Sequence, residues 1–315
     1  MAKKVVQTAF GGPDVLRAIE VPEPDPGMLK AGEALIRVQA AAVNPVDAQT
    51  RRGDGVAALM GGFPFTVGWD LAGEVVATGS GVQLATGARV FGFASFPRPA
   101  GAYAQYAVVP AGDLVPTPDT VDDVQAAALP LAALTAWQDL VDVAGLKAGQ
   151  RILIQGGGGG VGHLAVQLAR HLGAHVITTA GTTRRDWLMS LGADDVIDYT
   201  RTDITEVLRH DPVDVVLDTV GGQLAGPSLS VVKPGGVLIE LPGVADDIAH
   251  AAAQAGVRAV YHAVHPDRDQ LAHLAGLAAA GLLSATVSET FPLEQAADAH
   301  RAIETGHTRG KIVLT

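Results

Sequence analysis

The 315-residue chain contains no cysteine. This absence excludes disulfide bonds, thiolate catalysis and any zinc site with cysteine ligands. Aromatic residues are also rare, at 4% of the chain, whereas glycine and alanine are abundant. This composition indicates close backbone packing, and a hydrophobic content of 48% is sufficient for two ordinary cores.

Basic residues are scarce as well, because 22 Lys and Arg stand against 33 Asp and Glu, for a formal net charge of −11. Nucleic-acid binders usually carry a basic face, so we expect no nucleic-acid partner. No apolar run approaches the roughly twenty residues that span a bilayer. The first residues, MAKKVVQTAF, do not resemble a signal peptide. We therefore expect a cytoplasmic protein with no membrane partner.

The hydrophobic pattern changes near residue 120. Before it, short runs such as ALIRVQAAAV and GWDLAGEVVATG alternate with Gly and Pro turns, which predicts a β-rich domain. After it, apolar strands alternate with helices, which is typical of a parallel sheet covered on both faces. The tail, FPLEQAADAHRAIETGHTRGKIVLT, predicts a helix and then a short strand. The predicted domains are residues 1–120 with 266–315, and residues 121–265.

The second domain is predicted to be a doubly wound α/β fold. Its predicted strands are Arg151–Gln155, Ala174–Thr179, Asp195–Asp198, Val213–Asp218, Gly236–Glu240 and Val257–Tyr261. Its predicted helices are Val161–Leu172, Arg185–Leu191 and Ile204–Arg209.

Five consecutive glycines follow the first of these strands. Only Gly157, Gly159 and Gly162 satisfy the pattern Gly-x-Gly-x-x-Gly. In this pattern the first glycine permits a tight turn, the second a close approach of pyrophosphate, and the third close packing of helix and strand. The helix N-terminus adds unpaired N–H groups and partial positive charge. We predict a dinucleotide site that also includes Gly160 and Val161; the alternative is a flexible turn before a helix.

The residues after the second strand favour NADP(H) over NAD(H). NAD-binding units carry an acidic residue at this point, for the 2′-hydroxyl of the adenosine. In this chain no carboxylate follows the second strand until Asp186, inside the next helix. Gly181, Thr182 and Arg184 are suited to a 2′-phosphate, because arginine binds phosphate in a bidentate manner. The alternative is that Arg184 is simply solvated.

Nine motifs, in order, resemble one family along nearly the whole chain. They are AAVNPVDAQTRRG, GWDLAGEVVATG, GAYAQYAVVPAGDLVPTP, AAALPLAALTAWQDL, GGGGGVGHLAVQLARHLGAHVI, LGADDVIDY, DTVGG, KPGGVLIELPG and GHTRGKIVL. This family is the medium-chain dehydrogenase/reductase superfamily, in its zinc-independent quinone oxidoreductase branch. Its zinc enzymes place cysteine where this chain has Asn44, and a His-Glu pair where it has Trp69 and Asp70. No metal site is therefore expected.

The resemblance implies a GroES-like domain beside the Rossmann domain, with the cofactor in the cleft between them. It further implies cofactor contacts from residues outside the glycine motif: Asn44, Thr135, Tyr199, Leu241, Pro242, Gly243, Arg309 and Lys311. For Thr135 and Tyr199 a buried, hydrogen-bonded hydroxyl is the alternative. The resemblance places Asp47 and Gln49 at the substrate pocket, although family members often carry tyrosine at the position of Gln49.

These observations predict an NADPH-dependent reductase that transfers hydride to a quinone or another electron-poor carbonyl compound. The Asn44 amide or a nearby backbone N–H is predicted to stabilise the developing oxyanion. Asp47 is interpreted as a hydrogen-bond acceptor of its loop rather than a catalyst. Two alternatives remain: an enal or enone reductase of the same family, and a non-catalytic NADPH-binding or structural protein. No flavin is expected. The sixth predicted strand would leave an exposed edge in a monomer, and the resemblance implies a homodimer in which two such edges pair.

Overall fold

The computed structural model describes residues 1–315. Its strands are β1 Ala2–Val6, β2 Arg17–Val21, β3 Glu33–Val43, β4 Asp70–Thr78, β5 Arg89–Phe93, β6 Tyr106–Pro110, β7 Leu114–Pro116, β8 Arg151–Gln155, β9 His175–Ala180, β10 Asp195–Asp198, β11 Val213–Asp218, β12 Val232–Glu240, β13 Arg258–Val260, β14 Val287–Phe291 and β15 Lys311–Leu314. Its α-helices are α1 Pro45–Arg52, α2 Asp123–Ala128, α3 Pro130–Trp137, α4 Gly162–His171, α5 Arg185–Ser190, α6 Ile204–Leu208, α7 Ala225–Ser230, α8 Asp246–Ala255, α9 Arg268–Ala279 and α10 Ala296–Glu304. A π-helical segment, Gln138–Val143, continues α3.

The chain divides into two units, Met1–Leu134 with His265–Thr315, and Thr135–Val264. The division falls later than the change of pattern near residue 120. The reason is that α2 packs against β3 and β4 and so belongs with the first sheet. The helical spacing after residue 120 therefore begins inside the first unit.

The first unit is built on a seven-stranded sheet in the order β14-β15-β3-β4-β5-β7, with β6 also paired to β3. The long central strand β3 is antiparallel to β15 and to β4. In this register Ile312 lies opposite Val43, and Asp70 lies opposite Ala42. The ends of three adjacent strands are thus brought together just before Asn44, which precedes α1.

The second unit is a six-stranded parallel sheet in the order β10-β9-β8-β11-β12-β13. This is the doubly wound Rossmann order, in which the chain reverses direction beside the first strand, β8. The core side chains of the strands are fully buried, as the pattern of apolar strands requires: Leu153, Val216 and Leu238 each have 0% exposure. The predictions of a Rossmann domain and of a β-rich first domain are confirmed.

Element bounds differ from prediction where Gly, Pro or Ala obscure the hydrophobic period. Strand β12 begins before Gly236, at Val232, although Pro234 and two glycines lie inside it. Helix α7 contains Gly226 and Pro227, and half of the residues of α8 are alanine, so neither helix was predicted. The predicted ends of β9 and β13 are wrong by one residue at each end. None of the helices is both long and apolar enough to cross a bilayer.

Candidate functional site

The glycine run forms the loop between β8 and α4. Gly156 has a φ of +73°, so the tight turn lies there and not at Gly157, where the motif placed it. The strand ends at Gln155, and the chain must reverse at the very next residue. A Cβ on Gly157 would lie 1.9 Å from Thr178 Oγ1, and one on Gly162 would lie 2.3 Å from the Gly156 carbonyl oxygen. Side chains are therefore excluded at both positions, and the helix packs directly on the turn.

The loop is held by hydrogen bonds from the neighbouring strand. The Gly156 N–H donates to Thr179 Oγ1 over 3.1 Å, and that hydroxyl donates to Gln155 Oε1 over 2.8 Å. The Gly157 N–H donates to the Thr179 carbonyl. These contacts hold the glycines in front of the ten-residue helix α4. A main chain free of side chains at a helix N-terminus fits the pyrophosphate of a dinucleotide.

A guanidinium lies against this loop. Arg184 Nη1 donates to the Gly158 carbonyl oxygen over 3.1 Å, and a Cβ on Gly158 would lie 2.6 Å from the same nitrogen. Thr182, at the start of the same 3-10 turn, donates its hydroxyl to Asp198. Hydrogen bonds from Thr182 and Thr200 hold the pKa of Asp198 below its usual range. The loop after β9 therefore offers a cation next to the glycines, as the NADP(H) prediction requires.

The other residues predicted to contact the cofactor in this unit have contrasting environments. Tyr199 is 63% exposed, which excludes the buried hydroxyl considered as its alternative role. Thr135 is buried, with 5% exposure. Leu241 follows β12 directly, and its N–H donates to the Asp218 carbonyl at the end of β11. Pro242 and Gly243 continue the same loop, at the carboxyl ends of the parallel strands, where doubly wound sheets bind their ligands.

In the first unit, three adjacent strand ends bring Asn44, Asp70 and Lys311 into contact. Asn44 Nδ2 donates to Asp70 Oδ2 over 2.8 Å, and Lys311 Nζ donates to Asn44 Oδ1. Lys311 Nζ lies 3.9 Å from Asp70 Oδ2. The exposed fractions are 1% for Asn44, 0% for Asp70 and 3% for Lys311. The Asn44 amide is thus held between a carboxylate and an ammonium inside the protein.

A second chain of polar groups ends at Asp47. The Asn44 backbone N–H donates to Asp47 Oδ2 over 2.7 Å, and the Tyr103 hydroxyl donates to the same oxygen over 3.0 Å. Tyr103 also meets His300 Nε2 at 3.2 Å, and Arg51 Nη1 lies 3.2 Å from His300 Nδ1. Arginine can only donate, so Nδ1 is the acceptor and Nε2 carries the hydrogen. All donors therefore point towards Asp47, which supports its interpretation as a structural acceptor.

Burial controls the ionisation of the polar groups around Asn44. Desolvation raises the pKa of Asp47 to about 7, against the hydrogen bonds from Asn44 and Tyr103 that favour the carboxylate. Burial likewise raises the pKa of Asp70 to about 6, opposed first by the Lys311 charge. Burial and the neighbouring Arg51 lower the pKa of His300 to about 3, so its imidazole is neutral at pH 7. Arg51 itself is paired with Glu304 at 2.6 Å.

Asn44 is the only asparagine in the chain, so it is a single reporter for both carboxylates. With selective ¹⁵N-asparagine labelling, we expect the Asn44 backbone amide proton to move downfield as pH rises through about 7, following Asp47. The side-chain NH₂ should move downfield at about pH 6, following Asp70. The reason for both shifts is that a carboxylate accepts a hydrogen bond more strongly than a protonated carboxyl. NMR titration measures both, and flat curves across this range would contradict the proposed ionisation.

The positions that hold zinc ligands in related zinc enzymes carry side chains of other types in this protein. Trp69 is fully buried, and its Nε1 donates to the Arg98 carbonyl over 2.8 Å. Its ring packs edge-on against Phe96 at 5.4 Å. The structure contains no group of three or more His, Cys, Asp or Glu side chains placed to hold a metal ion. Indole and amide groups in place of imidazole and thiolate do not fit zinc.

Two family models match the chain. The first describes the GroES-like domain of alcohol dehydrogenases and matches residues 30–119. The second is described as a zinc-binding dehydrogenase and matches residues 191–314, which exclude Asn44, Trp69 and Asp70.

Individual proteins match over almost the whole chain. An NADPH-dependent alkenal/one oxidoreductase of Arabidopsis thaliana chloroplasts is 37% identical over 99% of this chain and 79% of its own length. A quinone oxidoreductase structure from Coxiella burnetii has a TM-score of 0.93 at 36% identity, covering 99% of this chain and 98% of that one. The chain belongs to the zinc-independent, quinone oxidoreductase-like branch of the medium-chain dehydrogenase/reductase superfamily. An Escherichia coli quinone oxidoreductase structure complexed with NADPH has a TM-score of 0.88 at 27% identity, covering 99% of each chain.

Residues predicted for the substrate pocket of this family member lie on helix α1. Gln49 is exposed, whereas Asp47 has 0% exposure, which does not favour a direct contact between Asp47 and substrate. Past the end of α1, a Cβ on Gly53 would lie 3.2 Å from the Phe10 ring. Phe10 and Phe63 pack edge-on at 4.8 Å and are 46% and 43% exposed. An exposed aromatic surface therefore lies beside the C-terminal end of the helix that carries Gln49.

The sequence reasoning missed the contribution of Tyr103, His300 and Glu304 to this site. Tyr103 lies within a short apolar run that reads as an ordinary strand. His300 is one of ten histidines spread along the chain. The signal that was available is its position on α10, where it shares the buried face with Ala296 and Ala299. A histidine on an apolar helix face needs a hydrogen-bonding partner inside the protein.

Proposed function

We propose that this protein reduces quinones or other electron-poor carbonyl compounds with NADPH and without zinc. The observation that carries the proposal is the glycine loop with the Arg184 guanidinium against it. The loop binds pyrophosphate through main-chain N–H groups at the start of α4, and Arg184 selects the 2′-phosphate. When bound, NADPH supplies the hydride from its nicotinamide ring. Related proteins described as quinone oxidoreductases, one of them in complex with NADPH, support this reading.

Residues of the chain then stabilise the negative charge that develops on the acceptor. Asn44 is proposed to lie beside the nicotinamide and to offer an N–H donor to the oxygen on which negative charge develops. Contacts from Thr135, Tyr199, the loop Leu241–Gly243 and Arg309 to the cofactor remain proposals. Lys311 is also predicted to contact the cofactor, but its Nζ is already engaged with Asn44 and Asp70. The cytoplasmic location and the domain limits expected from the sequence likewise stay predictions.

A second candidate acceptor is an enal or enone, reduced at its carbon–carbon double bond. Two observations favour it: the Arabidopsis relative is described as an alkenal/one oxidoreductase, and the polar Gln49 stands where family members often have tyrosine. The pocket, rather than the nucleotide fold, decides between the two acceptors.

The test is the oxidation of NADPH, followed at 340 nm, across a panel of benzoquinones, naphthoquinones, 2-alkenals and alkenones. We expect turnover with at least one class, and the ratio of kcat/KM values between the classes assigns the substrate. Tight NADPH binding without turnover of any acceptor would contradict a reductase and favour a non-catalytic NADPH-binding protein.

We further propose that the protein is a homodimer formed through strand β13. This strand is one edge of the six-stranded sheet, so its outer side has no neighbouring strand, and Tyr261, the residue after it, is 57% exposed. Pairing of two such edges would give one continuous sheet. Light scattering after size-exclusion chromatography should give twice the chain mass of 32.2 kDa. Val260→Lys should give a monomer, and a wild-type monomer at micromolar concentration would contradict the proposal.

A further inference from the structure

Lys311 is placed opposite Asn44 by the register of the sheet. Ile312 pairs with Val43 in the antiparallel ladder between β15 and β3, so the preceding residue on β15 faces the residue that follows β3. The Lys311 N–H donates to the Thr286 carbonyl over 2.8 Å. At Gly310 a Cβ would lie 2.1 Å from that same carbonyl oxygen. The backbone position of Lys311 is therefore fixed by these contacts.

The burial of this lysine is costly for the fold. An ammonium removed from water loses a large hydration free energy, and apolar side chains of similar volume often replace a buried ion pair without loss of stability. Burial lowers the pKa of Lys311, whereas Asp70 and Asp47 favour its charged form. Stability alone is thus a poor reason for a lysine at this position.

The charges around Asn44 determine the orientation of its amide. Oδ1 accepts from the Lys311 ammonium, and Nδ2 donates to the Asp70 carboxylate. The flipped amide would place Oδ1 against a carboxylate and Nδ2 against an ammonium. One Nδ2 hydrogen is used by Asp70, so the direction of the second is set as well. A cation on the carbonyl oxygen also withdraws electron density from the amide, which strengthens its remaining N–H as a donor.

We propose that Lys311 is a positioning residue that orients and polarises the Asn44 amide, so that its second N–H donates to the acceptor oxygen. This inference rests on the proposed reductase function. Lys311, on strand β15, would thus contribute to the reaction through Asn44 and without touching the substrate.

The first test reads the amide directly. In ¹⁵N-asparagine-labelled protein the lone Asn44 side chain gives one NH₂ pair of signals. Lys311→Met should move both protons upfield and speed their exchange with water, and Lys311→Arg should restore the wild-type positions. The control is Lys233→Met, because Lys233 pairs with Asp214 at 2.9 Å in the other unit. Unchanged Asn44 signals in Lys311→Met would overturn the proposal.

The second test is a double-mutant cycle on turnover. Lys311→Met should lower kcat roughly tenfold or more, with the Kd of NADPH within about threefold. Added to Asn44→Ala, it should lower kcat no further, because it acts through the amide. A kcat for Lys311→Met within about twofold of wild type, or losses that multiply in the double variant, would refute the positioning role.

A second variant keeps the test decisive if Lys311→Met alone does not fold. Lys311→Met combined with Asp70→Asn removes both buried charges, and we expect it to fold while keeping the loss of kcat. If it folds and turns over at the wild-type rate, the proposal is wrong. If wild-type protein reduces no acceptor, the proposed function fails, and the NMR signals alone decide whether Lys311 orients Asn44.

Discussion

Asn44→Ala is expected to lower kcat by about a hundredfold while the Kd of NADPH changes by no more than a few-fold. The amide is held between Lys311 and Asp70, which fix the direction of its remaining N–H, so this N–H is a preorganised donor. Such a donor stabilises charge that develops on the acceptor oxygen and does little for the bound cofactor. Steady-state kinetics with a saturating acceptor, together with fluorescence titration of NADPH, measure both quantities.

The control for this variant is Thr117→Val. Thr117 is also buried in the first unit, with 7% exposure, and its hydroxyl has no hydrogen-bond partner. Its replacement changes a buried polar group of the same unit without touching the Asn44 contacts. We expect normal turnover from this control. If Asn44→Ala turned over as fast as wild type, the role assigned to its amide would be wrong.

Arg184→Gln is expected to raise the KM for NADPH roughly 10- to 100-fold, which corresponds to the loss of one or two charge-assisted hydrogen bonds. The KM for NADH should change little, because unphosphorylated coenzyme has no 2′-phosphate for the guanidinium to bind. The preference for NADPH over NADH should therefore fall by a similar factor. Initial rates with both coenzymes, at a fixed acceptor concentration, give the two KM values.

The neighbouring arginine is the matched control for that experiment. Arg185 donates to the Val196 carbonyl over 2.8 Å, so its guanidinium is used to tie α5 to β10. Arg185→Gln removes the same charge one residue away and should leave the coenzyme preference intact. Equal effects of the two substitutions would show that net charge near the loop, and not the position of Arg184, selects the coenzyme.

Local patterns were enough for most of the cofactor-binding unit. Strands β8, β10 and β11 have the predicted bounds, because their central residues are apolar and buried, as Leu153, Val196 and Val216 are. The glycine spacing located the loop, although the positive φ belongs to Gly156 rather than Gly157. A motif records where side chains are excluded, and it does not state which backbone torsion makes the turn.

The network around Asn44 was beyond sequence reasoning for a different reason. The residues of this network lie 26 to 267 positions from Asn44 along the chain. They are Asp70, Tyr103, His300 and Lys311. No local period connects them. Asp70 and Lys311 meet Asn44 because β4 and β15 both pair with β3. His300 meets Tyr103 from helix α10. Both arrangements are properties of the whole unit.

The amino-acid sequence by itself determined the fold class, the place of the nucleotide loop, the choice of NADP(H) and the absence of zinc-ligand side chains. Each of these follows from residues that are close together in the chain or from residue types that are missing. Only the tertiary structure decided that the Asn44 amide is oriented by a buried lysine and a buried carboxylate, and that burial raises the pKa of Asp47. Burial and the pairing of distant strands set those properties, and neither is written in any short stretch of sequence.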